Sequence, residues 1–122
     1  MKIGVIGAGR LGICFALLCE AAGYEVLVSD VRQDYVEGLN NRQIHTNEPE
    51  VEALLKDAVY FNATTDNRQV VRECDLIYTL VPTPSLDDGS YDVSAVWQVV
   101  DDIKEEMENL FSAIAEEKDG ET

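Results

Sequence analysis

The chain has 122 residues, 46% of them hydrophobic, with 24 acids against 9 bases and a formal charge of −15. That length suits one domain with a real core, and the acidic balance argues against nucleic acid or an anionic membrane as partner. No apolar run reaches membrane-spanning length, and an apolar start broken at once by glycines does not read as a signal peptide.

The first stretch, Met1 to Asp30, organises the rest. The run Ile3-Gly4-Val5-Ile6 reads as a strand, followed by a glycine turn, Gly7-Ala8-Gly9-Arg10-Leu11-Gly12. Ile13, Phe15, Ala16, Leu17, Leu18, Ala21 and Ala22 then give a helical apolar pattern, stopped by Gly23. Val26-Leu27-Val28 forms a second strand that ends at Ser29-Asp30. Strand, turn, helix, strand and acid in that order supply the context a G-x-G-x-x-G pattern needs. Gly7 permits the sharp exit from the strand. Gly9, without a Cβ, lets a pyrophosphate approach the backbone, and Gly12 lets the helix pack closely. The helix start offers unpaired N–H groups and partial positive charge to an anion. Asp30 can accept hydrogen bonds from a ribose 2′-OH, which favours NAD over NADP. Arg32 is the complication: it is either a residue that accommodates a 2′-phosphate or an exposed residue at a helix start.

Val31 to Asn40 predicts a second helix, with Ser29 or Asp30 as its N-cap. Glu48-Pro49-Glu50 opens a third, with Pro in the first turn and Val51, Leu54 and Leu55 on one apolar face. Val59-Tyr60-Phe61 predicts a third strand. Thr64-Thr65-Asp66 caps a helix over residues 67–73, with Val70 and Val71 inward. Leu76 to Val81 is a continuous apolar run, the pattern of a strand covered on both faces. The loop Pro82-Thr83-Pro84-Ser85-Leu86-Asp87-Asp88-Gly89 leaves that strand's carboxyl end, where ligands bind in open α/β sheets. Asp92 or Ser94 caps a long last helix with Val96, Val100, Ile103, Met107 and Leu110 as its stripe and Trp97 beside it.

Alternating strands and helices predict an α/β fold, a doubly wound parallel sheet of about four strands in the order 3-2-1-4, with a long C-terminal helix. Residues 1–115 form the domain and residues 116–122 an acidic frayed tail. From Asp101 onward nine acids meet two lysines. The order 3-2-1-4 leaves the strand at 76–81 on an edge, where a second copy or a partner chain could pair.

Cys14, Cys19 and Cys74 lack metal-ligand spacing, and no metal site is expected. An odd count without a framework suits buried, reduced thiols in a cytoplasmic protein. His45 lies in a polar loop and reads as a loop residue rather than a catalytic base.

The segment Lys2 to Gly12, the Glu48-Pro49 pair, and Val81-Pro82-Thr83-Pro84-Ser85 followed by Asp88-Gly89 and Asp92 together resemble the NAD-binding domain of the UDP-glucose/GDP-mannose dehydrogenases. The opening fingerprint is shared by many dehydrogenases; the proline-threonine-proline loop is far more specific. The likeness covers about residues 1–105 and implies a Rossmann-like fold that binds NAD. By that resemblance Gly7, Gly9, Arg10 and Leu11 line the pyrophosphate turn, Gly12 seats the helix, Asp30 holds the adenosine ribose, and Pro82 and Thr83 lie beside the cofactor. Glu50 departs from the family's glycine at that position. Family members continue beyond this architecture, and their nucleophilic cysteine, lysine and asparagine lie in that further part, so no residue here is assigned a catalytic role. Cys74 does not match the nucleophile's context. The resemblance therefore implies a cofactor-binding domain that does not turn over substrate alone. The alternatives are one half of a split oxidoreductase, completed by a partner chain, and a shortened domain acting only as an interaction module.

Overall fold

The elements follow in the order β1 (Lys2–Ile6), α1 (Arg10–Ala21), β2 (Glu25–Ser29), α2 (Gln33–Asn40), α3 (Pro49–Asp57), β3 (Phe61–Thr64), α4 (Asn67–Glu73), β4 (Leu76–Thr79) and α5 (Ser94–Gly120). They come from a computed structural model that describes residues 1–120, with side-chain surroundings through residue 116. The four strands are parallel and ordered β3-β2-β1-β4, as the sequence predicts. Ile3 stands opposite Val26 on one side and Leu76 on the other, and Val26 stands opposite Phe61.

Side-chain alternation along the strands feeds two cores. Ile3, Val5, Val26 and Val28 face α1, α2 and α3, whose Ile13, Ala16, Leu17, Val36, Leu39, Val51 and Leu55 complete the larger cluster. Ile6 and Leu27 face the other way, toward Val70 of α4 and Val99 of α5. Gly4 allows that second layer to sit close: a Cβ there would lie 2.5 Å from Val70 and 3.0 Å from the Cys74 sulfur. Helices on both faces of a parallel sheet are the doubly wound arrangement.

Arg42, at φ 64°, closes the turn after α2. Its guanidinium donates to the carbonyl oxygens of Leu39 (3.0 Å), Ala58 (3.2 Å) and Phe61 (2.8 Å). One side chain thus ties α2, the end of α3 and β3 together, and its guanidinium carbon lies 5.3 Å from the centre of the Phe61 ring.

Four expectations from the sequence are corrected. The third strand is Phe61–Thr64 rather than 59–61: Val59 and Tyr60 are exposed, and their N–H groups donate to the Glu20 carboxylate at 3.1 and 3.4 Å. Neither Ser29 nor Asp30 is the N-cap of α2, whose N-cap is Arg32 with no side-chain cap bond; the Ser29 hydroxyl donates to Asn67 at 2.7 Å instead. β4 is not covered on both faces, since Leu76 keeps 43% and Tyr78 40% of its surface. The long helix does not bury the stripe Val96, Val100, Ile103, Met107 and Leu110. Among its described side chains Val99 and Glu106 are buried and Ile103 is half-buried, while Val100, Met107, Leu110, Phe111 and Ile114 are exposed.

Polar pairs explain the rotation of α5. Arg68 meets Glu105 at 2.5 Å, Arg72 meets Glu106 at 3.4 Å, and Asn67 donates to Asp102 at 3.0 Å. The backbone of α5 is helical to Gly120, and residues 121–122 lie outside the described residues.

Candidate functional site

The carboxyl ends of β1, β2 and β4 open into a cleft of about 740 Å³ lined by Gly7, Gly9, Arg10, Leu11, Gly12, Asp30, Val31, Arg32, Thr79, Leu80, Val81, Pro82 and Thr83. All nine residues singled out in the sequence reach it. The strand ends place them. The Gly7 N–H donates to the Ser29 carbonyl at 2.9 Å, and the Leu80 N–H to the Ile6 carbonyl at 2.7 Å. The glycine turn, the β2 terminus and the proline loop are thereby held at one edge of the sheet.

The glycine turn is built in three different ways. Gly7 has φ +101°, and a Cβ there would also strike the Leu80 carbonyl, so both conformation and space demand glycine. A Cβ on Gly12 would drive into the Gly7 carbonyl oxygen; this is the close seat of α1 on β1. Gly9 is unlike both. Its backbone is ordinary extended chain, φ −69° and ψ −166°, and a Cβ there would meet no atom within 4 Å. The fold itself does not need a glycine at this position.

Above Gly9 lies the start of α1. The first intrahelical bond runs from the Ile13 N–H to the Gly9 carbonyl at 2.9 Å. The preceding N–H groups have no side-chain cap, and the first turn carries no acid. The partial positive charge of the helix start is therefore left for an external anion. By contrast, α3 carries Glu50 and Glu52 in its own first turn. Arg10 projects from the mouth of the cleft with its side chain 87% exposed and pairs with Glu48 at 2.5 Å. That carboxylate raises the Arg10 guanidinium further into its charged range.

Asp30 ends β2 with its side chain only 9% exposed. Its Oδ2 accepts from the Ala8 N–H at 3.2 Å and from the Arg32 guanidinium at 3.1 Å; its Oδ1 accepts from the Arg32 N–H at 3.0 Å and Nε at 2.9 Å. Burial works to raise this carboxyl, but the Arg32 hydrogen bonds and charge, with the Ala8 N–H, outweigh it and hold it below the usual carboxylate range. Tyr35 completes the corner, its hydroxyl donating to the Ala8 carbonyl at 2.8 Å and its ring lying 4.1 Å beneath the Arg32 guanidinium carbon.

The proline loop is more ordered than an irregular segment. Ser85 and Tyr91 form an antiparallel bridge, and the Asp92 N–H donates to the Pro84 carbonyl at 2.7 Å. Gly89 takes φ +87° at the tip. This closed loop fixes Pro82 and Thr83 at the cleft wall.

Sequence reasoning missed Val31, Thr79, Leu80 and Val81 as lining residues, and missed Tyr35 and Glu48 as partners of the two cleft arginines. Adjacency to Asp30 and to Pro82 was signal enough for Val31 and Val81. Helical spacing from Arg32 would have found Tyr35; nothing local points from Arg10 to Glu48.

Neither His45 nor any cysteine lines the main cleft. Burial pushes the Cys74 thiol up to about 11, with Glu73 and Asp75 adding to the effect against Lys2, which favours the protonated thiol at neutral pH. Among the described residues no three His, Cys, Asp or Glu side chains converge as a metal site, and no helix is long and apolar enough to cross a membrane.

A parallel sheet in this order, a glycine turn opening onto a helix start, and an acid at the next strand's end define a Rossmann-type dinucleotide-binding domain. The residues fit the group: the open space over Gly9 and the uncapped N–H groups accommodate a diphosphate. The family model for the UDP-glucose/GDP-mannose dehydrogenase family, NAD binding domain, matches residues 1–117, and the chain belongs to that family. It is 33% identical over 98 residues to the UDP-glucose 6-dehydrogenase AglM of Haloferax volcanii, covering 79% of this chain and 23% of that protein. It is 30% identical over 106 residues to the GDP-mannose 6-dehydrogenase of Pseudomonas aeruginosa, covering 84% and 24%. The solved GDP-mannose dehydrogenase of Pseudomonas aeruginosa superposes with a TM-score of 0.80 at 30% identity, over 84% of this chain and 24% of that one. The UDP-glucose dehydrogenase of Pyrobaculum islandicum gives 0.78 at 27% identity, again over 84% and 24%. The chain thus spans about a quarter of the length of these relatives, and NAD is the dinucleotide of its family.

Proposed function

We propose that this chain is the NAD-holding part of a nucleotide-sugar 6-dehydrogenase, with UDP- or GDP-linked sugars as the substrate class. The open ground over Gly9, in a fold that has no internal use for a glycine there, carries the reading. The diphosphate lies over Gly9, against the N–H groups of Arg10, Leu11 and Gly12. Gly7 and Gly12 shape the turn, Asp30 faces the adenosine ribose with Arg32 beside it, and Pro82 and Thr83 border the far side. NAD, when bound, supplies the hydride acceptor.

The chain's own residues bind and orient. Taking an alcohol to a carboxylate also needs a base and a covalent thiol relay, and the described cleft residues include neither a histidine nor a cysteine. Those groups come from outside the chain, from residues or a partner that contribute the sugar-nucleotide side. The exposed face of β4, with Leu76 and Tyr78 half in water, favours association there, as a homodimer or with a partner chain. Calorimetry of the full chain with NAD and with ADP-ribose tests the binding reading. Both should give heat. Absence of heat with either would remove the reading, and turnover of UDP-glucose or GDP-mannose by the chain alone would remove the division of labour.

A further inference from the structure

The Asp30 corner is already fully engaged before any nucleotide arrives. A carboxylate offers about four lone-pair positions, and here four donors occupy them: the Ala8 N–H, the Arg32 N–H, and two guanidinium N–H groups of Arg32. A ribose diol that binds this carboxylate must displace part of the arginine fork. The fork also cancels the charge that makes a bare aspartate repel a 2′-phosphate. The guanidinium is not spent by this. Of its five N–H donors, Nε and one on Nη2 face Asp30. The other three meet no carboxylate among the described residues, and Arg32 lines the cleft. The Tyr35 ring, 4.1 Å below, holds the guanidinium plane in place, so little side-chain entropy remains to be lost on binding.

We propose that Arg32 makes the ribose end of this cleft accept 2′-phosphorylated dinucleotides alongside NAD. The proposal rests on the reading that the Asp30 corner receives the adenosine ribose. Arg32 keeps its fork on Asp30 and turns its outer N–H edge to the phosphate. It acts locally and against the global field, because the formal charge of −15 disfavours the more anionic nucleotide.

Calorimetry of the full chain with 5′-ADP and with adenosine 2′,5′-bisphosphate, at one ionic strength, separates the two levels of argument. The wild-type chain should bind both. Arg32→Gln removes the charge and the fork together. It should weaken the bisphosphate at least about tenfold more than it weakens 5′-ADP, the worth of one charge-assisted contact. A bisphosphate-to-ADP affinity ratio that moves less than about tenfold overturns the role of Arg32 and leaves the NAD reading standing. Failure of the wild type to bind either nucleotide removes the ribose site itself, and this proposal with it. A thermal melt of the variant guards against trivial unfolding. Arg32→Gln strips the largely buried Asp30 carboxylate of its counter-charge, so a lower melting temperature is expected, and the affinities are compared where both proteins are folded.

Discussion

Replacing Gly9 by valine puts the diphosphate cradle to a direct test. The backbone there, at φ −69° and ψ −166°, suits any residue, and a Cβ would meet nothing within 4 Å. Gly9 is also the N-cap of α1, where exchanging glycine for an aliphatic residue costs about 1 kcal/mol at most. Folding should therefore survive. The valine methyls would instead fill the ground where the diphosphate has to lie. Losing two charge-assisted N–H contacts, at about 1.5–3 kcal/mol each, weakens binding by roughly two to four orders of magnitude. Gly12→Ala is the matched opposite. Its Cβ would run into the Gly7 carbonyl oxygen, and such overpacking costs about 1–3 kcal/mol of stability. Urea melts should show Gly12→Ala clearly destabilised and Gly9→Val nearly intact, while calorimetry with ADP-ribose shows no measurable heat for Gly9→Val. A folded Gly9→Val that binds ADP-ribose within about threefold of the wild type would refute the placement of the diphosphate.

Arg42→Ala leaves the carbonyls of Ala58 and Phe61 without the guanidinium donor, while that of Leu39 keeps the residue 42 backbone N–H. A loss of about 2–4 kcal/mol is expected in urea unfolding, and a loss below about 0.5 kcal/mol would mean that water replaces the clamp. Alkaline pH should act through Cys74. Its native thiol is raised to about 11, above the thiol of an unfolded chain at about 8.5. The thiol's contribution is present below the lower value and is lost as pH climbs through the upper one. Cys74→Ala should flatten the decline in stability between about pH 8.5 and 11; parallel curves for the two proteins would contradict this.

The opening half of the fold is legible because each local signal agrees with the packing around it. The apolar runs of β1 and β2 are buried, and the glycine spacing, the helix start and Asp30 all converge on one cleft. The third strand misleads because Val59 and Tyr60 have strong strand propensity but precede the strand, touching the sheet only where the Tyr60 carbonyl accepts the Val26 N–H at 2.8 Å. Glu20, distant in sequence, takes their N–H groups, and no local pattern announces it. The last helix misleads for a related reason. Reading its apolar stripe as the buried face assumes an apolar partner, whereas α4 presents Arg68 and Arg72 beside Val70. At the site, the neighbourhood of Asp30 and Arg32 is plain in the sequence. Which oxygen receives which donor is a matter of χ angles, and only the folded chain fixes it.

The seam between α4 and α5 makes electrolyte a selective reagent. Screening shrinks to about 3 Å at 1 M salt, which slackens Arg68–Glu105 and Arg72–Glu106, while dry contacts inside the sheet lose nothing. Concentrated salt should thus loosen the last helix on a still-folded body, seen as faster amide exchange confined to α5, while Val99 and Ile103 keep it seated. The row from Val100 to Ile114 already stands in water, so brine would free this oily ridge to sway without melting the domain.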